Sequence, residues 1–451
     1  MNPTQTTIRH KPNPAQMRWH RATRQHRKVL LGAGVGVGKT EAIAFRAVML
    51  AVQNAGLAGL VVSHVYAHVK NEIRPRIKKF LKQANIYAGE NIADKAIFVK
   101  NGSVIYYGSA DKPSSMEGRD VAWALGDEIR FWKREAYDFF CARVRTKGAP
   151  QPLIGFTSTL DSGSWMADEF RDTALPVVHG ATYENQVNLQ DGYIEGLQGS
   201  LSPELFRQYV LAEWINIGGT VYGKEIDLGV MLQPYDDLYD PRRPVLGGID
   251  FGYVRPAVVF AQHFERCRLH GHDNCLHILD ELVPNHTPTT ELAVLIRGLA
   301  DRRIWVLGEL HCDPAGNARS QEDGKRSVDI LRDAKLDPTF SHASEDRERA
   351  AGVERVRAQI LNASGQRRLY IADHLHRRIQ SLEEERGVVA SIQKYPFKGT
   401  PPEPSKDSIY GHSMDALRYL VNGTCKPTQP VGGLFKYGRT YEPSRYTRSS
   451  R

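Results

Sequence analysis

The chain has few cysteines and no long apolar segment. Its 451 residues include five cysteines, an odd number at irregular spacing, which excludes a scaffold built on disulfides. No hydrophobic run approaches the ~20 residues that a bilayer-spanning helix requires. The first residues, Met1–Gln5, lack the apolar core of a secretory signal. We therefore expect a globular protein that acts in the cytosol and has no contact with membranes.

Acidic residues are outnumbered by basic ones. The sequence has 60 Lys and Arg against 51 Asp and Glu, a formal net charge of +9. This excess favours a polyanionic partner such as nucleic acid. Basic residues are frequent in Arg18–Lys28, in Arg74–Lys82 and after Lys426. We expect the last segment to be a mobile tail, either solvated or in contact with DNA or a partner.

A glycine-rich stretch, Leu30–Thr40, is the most informative motif that the sequence contains. The apolar Val29–Leu31 at its start predicts a strand, and the alanine-rich Glu41–Val52 after it predicts a helix. Such a turn can wrap its backbone N–H groups around the phosphates of a nucleotide, and the helix N-terminus favours the anion. The glycines that would form this cradle are Gly34, Gly36 and Gly38.

Two side chains at the end of the motif complete a predicted ATP site. Lys39 would reach the β- and γ-phosphates, and the Thr40 hydroxyl would hold Mg²⁺. The strict phosphate-loop pattern has glycine where this sequence has Ala33, which is small enough for the position if its φ is negative. An ordinary glycine-rich turn between a strand and a helix is the simpler alternative.

An acidic pair follows a second apolar strand, Val121–Leu125. Asp127 would bind the Mg²⁺ through water, and Glu128 would orient or deprotonate the attacking water. An acidic pair alone is weak evidence, because loops are often acidic. Its position downstream of a phosphate loop makes the combination indicative of ATP hydrolysis.

Three further polar positions could serve this site. Arg119 could neutralise charge on the transferred phosphoryl group, in its own subunit or in a neighbour, or it could be a surface arginine paired with Glu117 or Asp120. Thr157–Thr159 end another apolar strand, where they could sense the γ-phosphate or form a plain turn. Gln16 has both a donor and an acceptor with which to read an adenine edge.

Carboxylates in the second half of the chain indicate a metal-dependent site. Asp250 lies on an apolar strand, and Asp313 ends another strand just before a proline. His412 and Asp415 are three residues apart on an amphipathic helix and so share a face. Carboxylates from separate elements can hold two divalent metals ~4 Å apart, the arrangement that hydrolyses phosphodiesters. Mg²⁺ or Mn²⁺ suits such oxygen ligands, although each acid alone could be a cap or a surface charge.

Two features of this half stay open. Asp280 and Glu281 end a strand, and either could add a fourth carboxylate; we favour Glu281 as the accessory metal ligand. A group of soft ligands between two predicted strands could bind Zn²⁺ or form a polar hairpin turn, and its spacing favours the turn. Its members are Cys267, His270, His272, Cys275 and His277.

The order of predicted elements indicates an α/β protein with two catalytic domains. Strands alternate with helices over the first ~215 residues, which predicts a mostly parallel sheet with helices on both faces. The predicted strands are Val29–Leu31, Gly59–Ser63, Ser103–Tyr107, Val121–Leu125, Leu153–Ser158, Pro244–Phe251, Ala257–His263, Leu276–Val283 and Ile304–Cys312. The predicted divisions are an ATPase domain at 1–216, a linker at 217–244, a mixed α/β nuclease domain at 245–425 and a basic flexible tail at 426–451.

Taken together, these motifs resemble the large terminase subunit of tailed bacteriophages over residues 12 to 424. The motifs that carry the resemblance are Gly34–Thr40, Asp127-Glu128, Thr157–Thr159, Gly248–Asp250, Asp313–Ala315 and His412–Tyr419. The resemblance implies an N-terminal P-loop ATPase of the ASCE type and a C-terminal nuclease like RNase H. It implies an adenine-reading role for Gln16, a coupling role for Thr157–Thr159, and a nuclease triad of Asp250, Asp313 and Asp415 with His412 beside it.

The function implied by the resemblance is that of a viral genome-packaging motor. Such a motor hydrolyses ATP to move double-stranded DNA into a procapsid in the host cytoplasm, and cuts the DNA at the beginning and end of packaging. Family members assemble as a ring, usually of five subunits, on the portal vertex, and a small terminase subunit recognises the DNA. The alternatives are a cellular helicase or repair nuclease with a fused ATPase, and an ATP-binding scaffold whose acids are structural.

Overall fold

The computed structural model describes residues 10–215, 220–267, 269–317, 325–340, 349–379, 386–398, 403–405 and 408–425. The predicted tail at 426–451 and the first nine residues lie outside this range. The described chain divides into two compact units. One contains the residues up to Ile194 together with those from Arg207 to 215; the other contains Glu195–Phe206 and the residues from 220 onward. No helix among the described residues combines the length and the apolar character needed to cross a membrane.

The first unit is built on an eight-stranded sheet. Its strands are β1 (Lys28–Ala33), β2 (Ala58–Ser63), β3 (Tyr87–Asn91), β4 (Ala96–Val99), β5 (Val104–Ser109), β6 (Trp123–Asp127), β7 (Leu153–Ser158) and β8 (Val177–Gly180). Their order is β3-β4-β5-β2-β6-β7-β1-β8. In this sheet order, the six strands β5, β2, β6, β7, β1 and β8 are parallel to their neighbours. The strands β3 and β4 form an antiparallel edge beside β5. Parallel strands of this kind need both faces covered.

Helices cover both faces of this sheet because its strands are apolar on both sides. Val29 and Leu31 of β1 face one hydrophobic cluster, while Leu30 faces the other. The first cluster takes residues from α1 (Pro14–Gln25), α2 (Lys39–Gln53) and α4 (Arg74–Gln83). A short helix, α3 (Tyr66–His68), precedes α4 in the chain. The second cluster takes residues from α5 (Arg134–Cys141).

The chain then forms α6 (Tyr193–Ser200) and α7 (Pro203–Tyr209). Tighter or wider helical turns occur at Val69–Ile73, Pro113–Met116, Ile129–Phe131, Ala167–Arg171, Thr182–Asn188, Gly223–Glu225 and Pro314–Asn317.

The second unit contains a seven-stranded mixed sheet. Its strands are β9 (Leu232–Gln233), β10 (Val245–Asp250), β11 (Ala257–Arg266), β12 (Asp273–Leu282), β13 (Leu307–Cys312), β14 (Asp337–Thr339) and β15 (Leu369–Ala372), in the order β14-β13-β10-β11-β12-β15-β9. The central β10, β11 and β12 form an antiparallel meander, and the outer strands add parallel neighbours. A separate antiparallel pair joins β16 (Phe397–Lys398) to β17 (Glu403–Pro404).

Helices also pack on both faces of the second sheet. They are α8 (Leu228–Met231), α9 (Tyr235–Leu238), α10 (Thr289–Arg303), α11 (Ser327–Asp333), α12 (Arg349–Ile360), α13 (Asp373–Ile379), α14 (Val388–Lys394) and α15 (Gly411–Thr424). One hydrophobic cluster takes residues from α12, α14 and α15, and the cluster on the opposite face takes residues from α10 and α11. The predicted α/β class, with a mostly parallel sheet followed by a mixed one, is confirmed.

Residues 220–244, which belong to the predicted linker, are folded. Val221, Tyr222, Met231 and Leu238 are buried in the cores of the second unit, and the short β9 extends its sheet. Gly, Pro and Asp are frequent in this segment, but the apolar residues between them bury enough surface to hold the segment against the sheet. The residues from 220 to 244 are therefore part of the second unit.

Candidate functional site

The glycine-rich stretch forms a tight loop between β1 and α2. Gly36 and Gly38 have φ of 74° and 84°, values that favour glycine, and Gly38 immediately precedes α2. Gly34 is required for a different reason, because a Cβ there would lie 2.6 Å from the Thr182 hydroxyl oxygen. Ala33 is a regular β1 residue paired with Gly180, whose missing side chain leaves room for the Ala33 methyl group. The departure from the strict pattern is thus accommodated.

Lys39 is folded back over this loop. Its Nζ donates to the carbonyl oxygens of Ala33 and Gly34, both at 3.1 Å, and lies 3.3 Å from the Thr159 Oγ1. The Glu128 Oε1 lies 3.6 Å from the same Nζ. The buried ammonium group is therefore held beside the backbone that would surround a phosphate.

Asp127 lies at the end of β6 and is completely buried. The Thr40 hydroxyl donates to its Oδ2 at 3.1 Å, the His68 Nε2 lies 3.2 Å from the same oxygen, and the Thr157 hydroxyl donates to Oδ1. Burial alone would raise the pKa of Asp127, but the hydrogen bonds from His68 and Thr157 and the charge of Lys39 outweigh it and hold the pKa below its usual value. Asp127 is therefore kept in its charged form.

Glu128 adopts a strained backbone conformation, with φ of 52°. Its carboxylate lies between two cations: Oε1 is near Lys39, and Oε2 is 3.5 Å from the Arg130 Nε. Arg130 also donates to the Tyr209 hydroxyl at 3.1 Å. No pattern in the sequence pointed to His68, and Arg130 could have been noticed only as a basic residue close to the acidic pair.

The Thr157–Thr159 stretch contacts this group through all three hydroxyls. Thr157 donates to Asp127, Ser158 accepts the backbone N–H of Arg130 at 3.1 Å, and Thr159 lies beside Lys39. A plain strand-end turn would not require such contacts. The stretch is thus connected to Lys39, Asp127 and Arg130 at once.

Gln16 contacts the phosphate loop instead of standing free. Its Nε2 donates to the Gly38 carbonyl at 2.9 Å and to the Val37 carbonyl at 3.5 Å. Its Oε1 accepts the backbone N–H of Asn13 at 3.1 Å, as part of the cap of α1. Both amide hydrogens are therefore engaged, and one acceptor lone pair on Oε1 remains.

Arg119 is not brought to the Lys39–Asp127 group. Its Nη2 donates to the Asp94 carbonyl at 2.9 Å, and its guanidinium lies over the Tyr106 ring, 4.4 Å from the centroid. The alternative pairing with Asp120 is not seen either, because Asp120 pairs with Arg145. Its role as the arginine of phosphoryl transfer stays a prediction.

In the second unit, Asp250 and Asp313 lie next to each other at the ends of parallel strands. Asp250 ends β10, and Asp313 follows the last residue of β13; the Asp313 N–H donates to the Ile249 carbonyl at 3.1 Å. A Cβ at Gly248 would lie 2.0 Å from the Ala416 carbonyl oxygen. Only glycine permits this close approach of α15 to β10, and the approach brings Asp415 into the same region.

The three aspartates influence each other electrostatically. Burial raises the pKa of Asp250 to about 6; the charges of Asp415 and Asp313 add to the rise, and a 2.9 Å contact with the His412 Nδ1 opposes it. Asp415 has its own partners, since the Arg349 Nη2 donates to its Oδ2 at 3.0 Å and the Arg418 Nε to its Oδ1 at 3.1 Å.

The oxygen donors of this cluster fit a hard divalent cation in chemistry. Their side chains are not gathered as expected, however. In the part of the chain that the structure describes, no three His, Cys, Asp or Glu side chains are placed to hold one metal ion. Both oxygens of Asp415 instead accept hydrogen bonds from guanidinium groups.

Asp280 and Glu281 both have structural partners. The Glu281 Oε2 accepts the Val388 N–H at 2.6 Å at the beginning of α14, and its other oxygen packs over Gly387. Asp280 accepts from the Arg303 Nη2 at 2.8 Å. The carboxylate that we favoured as an accessory ligand therefore caps a helix in this structure.

The Cys/His group forms the end of the β11–β12 hairpin. The His277 Nδ1 lies 2.9 Å from the Leu238 carbonyl oxygen, and its Nε2 is 3.4 Å from the Cys267 Sγ. His270 stacks on Tyr370, with ring centroids 4.4 Å apart. These contacts pack the turn against its neighbours, as the hairpin alternative predicts.

Comparisons with known proteins agree with both units. Residues 30–226 match the family model described as terminase large subunit, T4likevirus-type, N-terminal. The large terminase subunit of Escherichia phage T5 is 28% identical over 303 residues, which is 62% of this chain and 66% of that protein. The match thus spans just under two thirds of the length of that relative.

Solved structures extend the likeness in fold to nearly the whole chain. The large terminase of a thermophilic bacteriophage is 16% identical, covers 92% of this chain and 100% of its own, and has a TM-score of 0.57. The same terminase in complex with ADP is 17% identical and covers 91% and 99%, with a TM-score of 0.54. The resemblance predicted from the motifs is therefore confirmed: this chain is similar to the large terminase subunits of bacteriophages in sequence and in fold.

Proposed function

We propose that this chain is a viral genome-packaging motor that hydrolyses ATP to move double-stranded DNA into a procapsid, and cuts that DNA with a two-metal nuclease when packaging begins and ends. The observation that carries the proposal is the group around Asp127, where Thr40, Lys39 and Thr157 meet at a glycine-rich loop. The large terminase of the thermophilic bacteriophage, which has a similar fold, is known in complex with ATPγS and with ADP.

The residues of the first unit suit the hydrolysis of ATP. An entering phosphate would replace the carbonyl contacts of Lys39, while Thr40 and Asp127 hold the Mg²⁺ that accompanies ATP. Glu128 orients the attacking water and accepts its proton, and the cations of Lys39 and Arg130 on either side hold its carboxylate. Gln16 keeps one acceptor lone pair with which to bind the adenine amino group.

Two other residues would link hydrolysis to the rest of the motor. Thr157–Thr159 contact Lys39 and Asp127, so loss of the γ-phosphate would change the contacts at the end of β7. Arg119 would act on the ATP of its own or a neighbouring subunit once its contact with Asp94 is broken.

The residues of the second unit suit phosphodiester cleavage. Asp250, Asp313 and Asp415 would hold the metals, with His412 fixing the orientation of Asp250. Two Mg²⁺ or Mn²⁺ ions, when bound, supply an activated water and stabilise the leaving oxygen. Glu281 could join as an accessory ligand only by leaving the backbone N–H of Val388.

The partners in this proposal follow from the function. Contacts to DNA would be mostly with phosphates and would weaken with salt. The portal protein of the procapsid and a small terminase subunit would be the protein partners, and the chain would act as a ring of five in the host cytoplasm and at the portal vertex.

The test separates the two activities in the full chain. Lys39→Ala should reduce ATP turnover at least ~100-fold and leave Mn²⁺-dependent plasmid cleavage intact, while Asp250→Asn should do the reverse. ATP turnover is measured by phosphate release, and cleavage by loss of supercoiled plasmid. If each substitution removed both activities, or if the chain separated the strands of a forked duplex, the proposal would be wrong.

A further inference from the structure

Both carboxylate oxygens of Asp415 are occupied by arginines. The Arg349 Nη2 donates to Oδ2 at 3.0 Å, and the Arg418 Nε donates to Oδ1 at 3.1 Å. A cation that uses Asp415 as a ligand must therefore compete with a guanidinium for at least one oxygen. Which arginine yields is decided by how each is held.

Arg418 is fixed in place. It lies on α15 itself, three residues after Asp415, and its side chain is only 6% exposed. A Cβ at Gly352 would lie 2.6 Å from the Arg418 Cδ, so α12 packs directly on the arginine stem. This arginine has no room to move without separating two helices.

Arg349 is more exposed than Arg418. It is the first residue of α12, and its side chain is 24% exposed. Its guanidinium also reaches the Tyr395 hydroxyl and, at 3.4 Å, the Pro404 carbonyl. Its buried Nε has no hydrogen-bond partner among the described residues. Arg349 is therefore the more exposed of the two arginines, and it has an unused donor.

We propose that Arg349 is a phosphate-binding residue of the nuclease site, held on Asp415 until a divalent cation takes that carboxylate. The inference rests on the proposed nuclease function. Three neighbouring carboxylates would repel the DNA backbone, and a guanidinium released among them offers a planar fork that matches a phosphate. When a cation replaces Arg349 on Asp415, the site would gain a bound cation and a released guanidinium, and both can bind the DNA phosphate.

The experiment measures cation binding and DNA binding separately in the full chain. Ca²⁺ is titrated by calorimetry, and affinity for a short duplex is measured with and without Ca²⁺. Arg349→Ala removes the competitor, so Ca²⁺ should bind about tenfold more tightly, while duplex affinity in Ca²⁺ and cleavage in Mn²⁺ should fall at least ~10-fold. Arg349→Gln, which can keep the contact with Pro404, should behave alike if the alanine variant fails to fold.

The control is Arg332→Ala, which removes an exposed arginine of α11 in the same unit. It should leave Ca²⁺ affinity and cleavage unchanged. If the Arg349 variants bound Ca²⁺ with unchanged or weaker affinity, the contact would be structural and the inference wrong. If the unaltered chain neither bound Ca²⁺ nor cut DNA, the proposed nuclease function itself would fail.

Discussion

Asp127 and Asp250 occupy equivalent places in their units, each at the end of a central strand, yet their surroundings are opposite. Asp127 is surrounded by hydroxyls, a histidine and a lysine, which keep its pKa low despite complete burial. Burial raises the pKa of Asp250 to about 6; the charges of Asp415 and Asp313 add to the rise, and His412 opposes it. The buried carboxylate of the first site has its own positive partners, whereas in the second site the two arginines pair with Asp415 and not with Asp250.

This difference indicates how each site is prepared for its ligand. In the first, the protein fixes the charge and geometry of the carboxylate in advance, as electrostatic preorganisation requires. In the second, a cation would relieve repulsion that folding has created, so ligand binding and stability are linked. The following predictions test that contrast.

The largest effect is expected at Gly248, which brings α15 and Asp415 to the strand of Asp250. Gly248→Ala places a Cβ against the Ala416 carbonyl and should lower the free energy of unfolding of the second unit by roughly 3 kcal/mol. Urea unfolding measures it. Gly252→Ala, at a position with open space around it, is the control. Equal loss in both variants would mean that the close approach is unimportant.

Replacing each aspartate by asparagine should have opposite effects at pH 8. Asp127→Asn breaks charge-assisted hydrogen bonds in a buried site and should destabilise the chain by roughly 2–3 kcal/mol. Asp250→Asn removes a carboxylate that titrates near 3.8 unfolded and near 6 folded, so it should stabilise the chain by roughly 1–3 kcal/mol above pH 6. Unfolding midpoints that moved in the same direction would contradict the contrast.

A third buried acid, Glu354, has a raised pKa whose main cause is burial, with a smaller contribution from the negative charge of Glu204. Burial raises the pKa of Glu354 to about 7, while Arg357 and Ser202 oppose the rise. Between about pH 4.5 and 7, the Glu354 carboxyl therefore keeps its proton in the folded state and loses it in the unfolded state. The free energy of unfolding falls as the pH rises through this window. Between about pH 5 and 8, the free energy of unfolding of Glu354→Gln should therefore fall by roughly 2 kcal/mol less than that of the unaltered chain.

The control for that series is Glu195→Gln, which changes an exposed glutamate. Its stability should follow the pH dependence of the unaltered chain. An unchanged slope for Glu354→Gln would mean that the Glu354 carboxyl titrates normally in the folded state.

The smallest effect concerns the strain at Glu128. Because its φ is positive, Glu128→Gly should be about 1 kcal/mol more stable than Glu128→Ala, although both remove the same carboxylate. Both variants should lose ATP turnover equally. A more stable alanine variant would show that the backbone there is relaxed.

Local sequence patterns were sufficient to predict the strands that carry the sites. The apolar runs ending near Ala33, Asp127, Asp250 and Asp313 correspond to β1, β6, β10 and β13. The positive φ values of Gly36 and Gly38 also follow from the motif. Such features depend on a few neighbouring residues, so the sequence displays them directly.

Features that depend on distant partners could not be predicted. Strand alternation did not decide which of Asp280 and Glu281 is a metal ligand. The Glu281 carboxylate accepts the backbone N–H of Val388, in a helix that begins about 100 residues later, and no local pattern shows this contact. The pairing of Asp415 with Arg349 spans 66 residues and depends on how α12 packs. His68 reaches Asp127 only because β2 and β6 are neighbours in the sheet.

The route of the chain between the two units has a practical consequence. Glu195–Phe206 belong to the second unit, but the chain then returns to the first, where the Tyr209 carbonyl accepts the Val35 N–H of the phosphate loop at 2.7 Å. If a protease cut the chain after Ile194 and the two pieces were then separated, the front piece would lose a backbone acceptor of the nucleotide cradle. Dissecting the motor into working halves would require rejoining the 207–215 segment to the front piece.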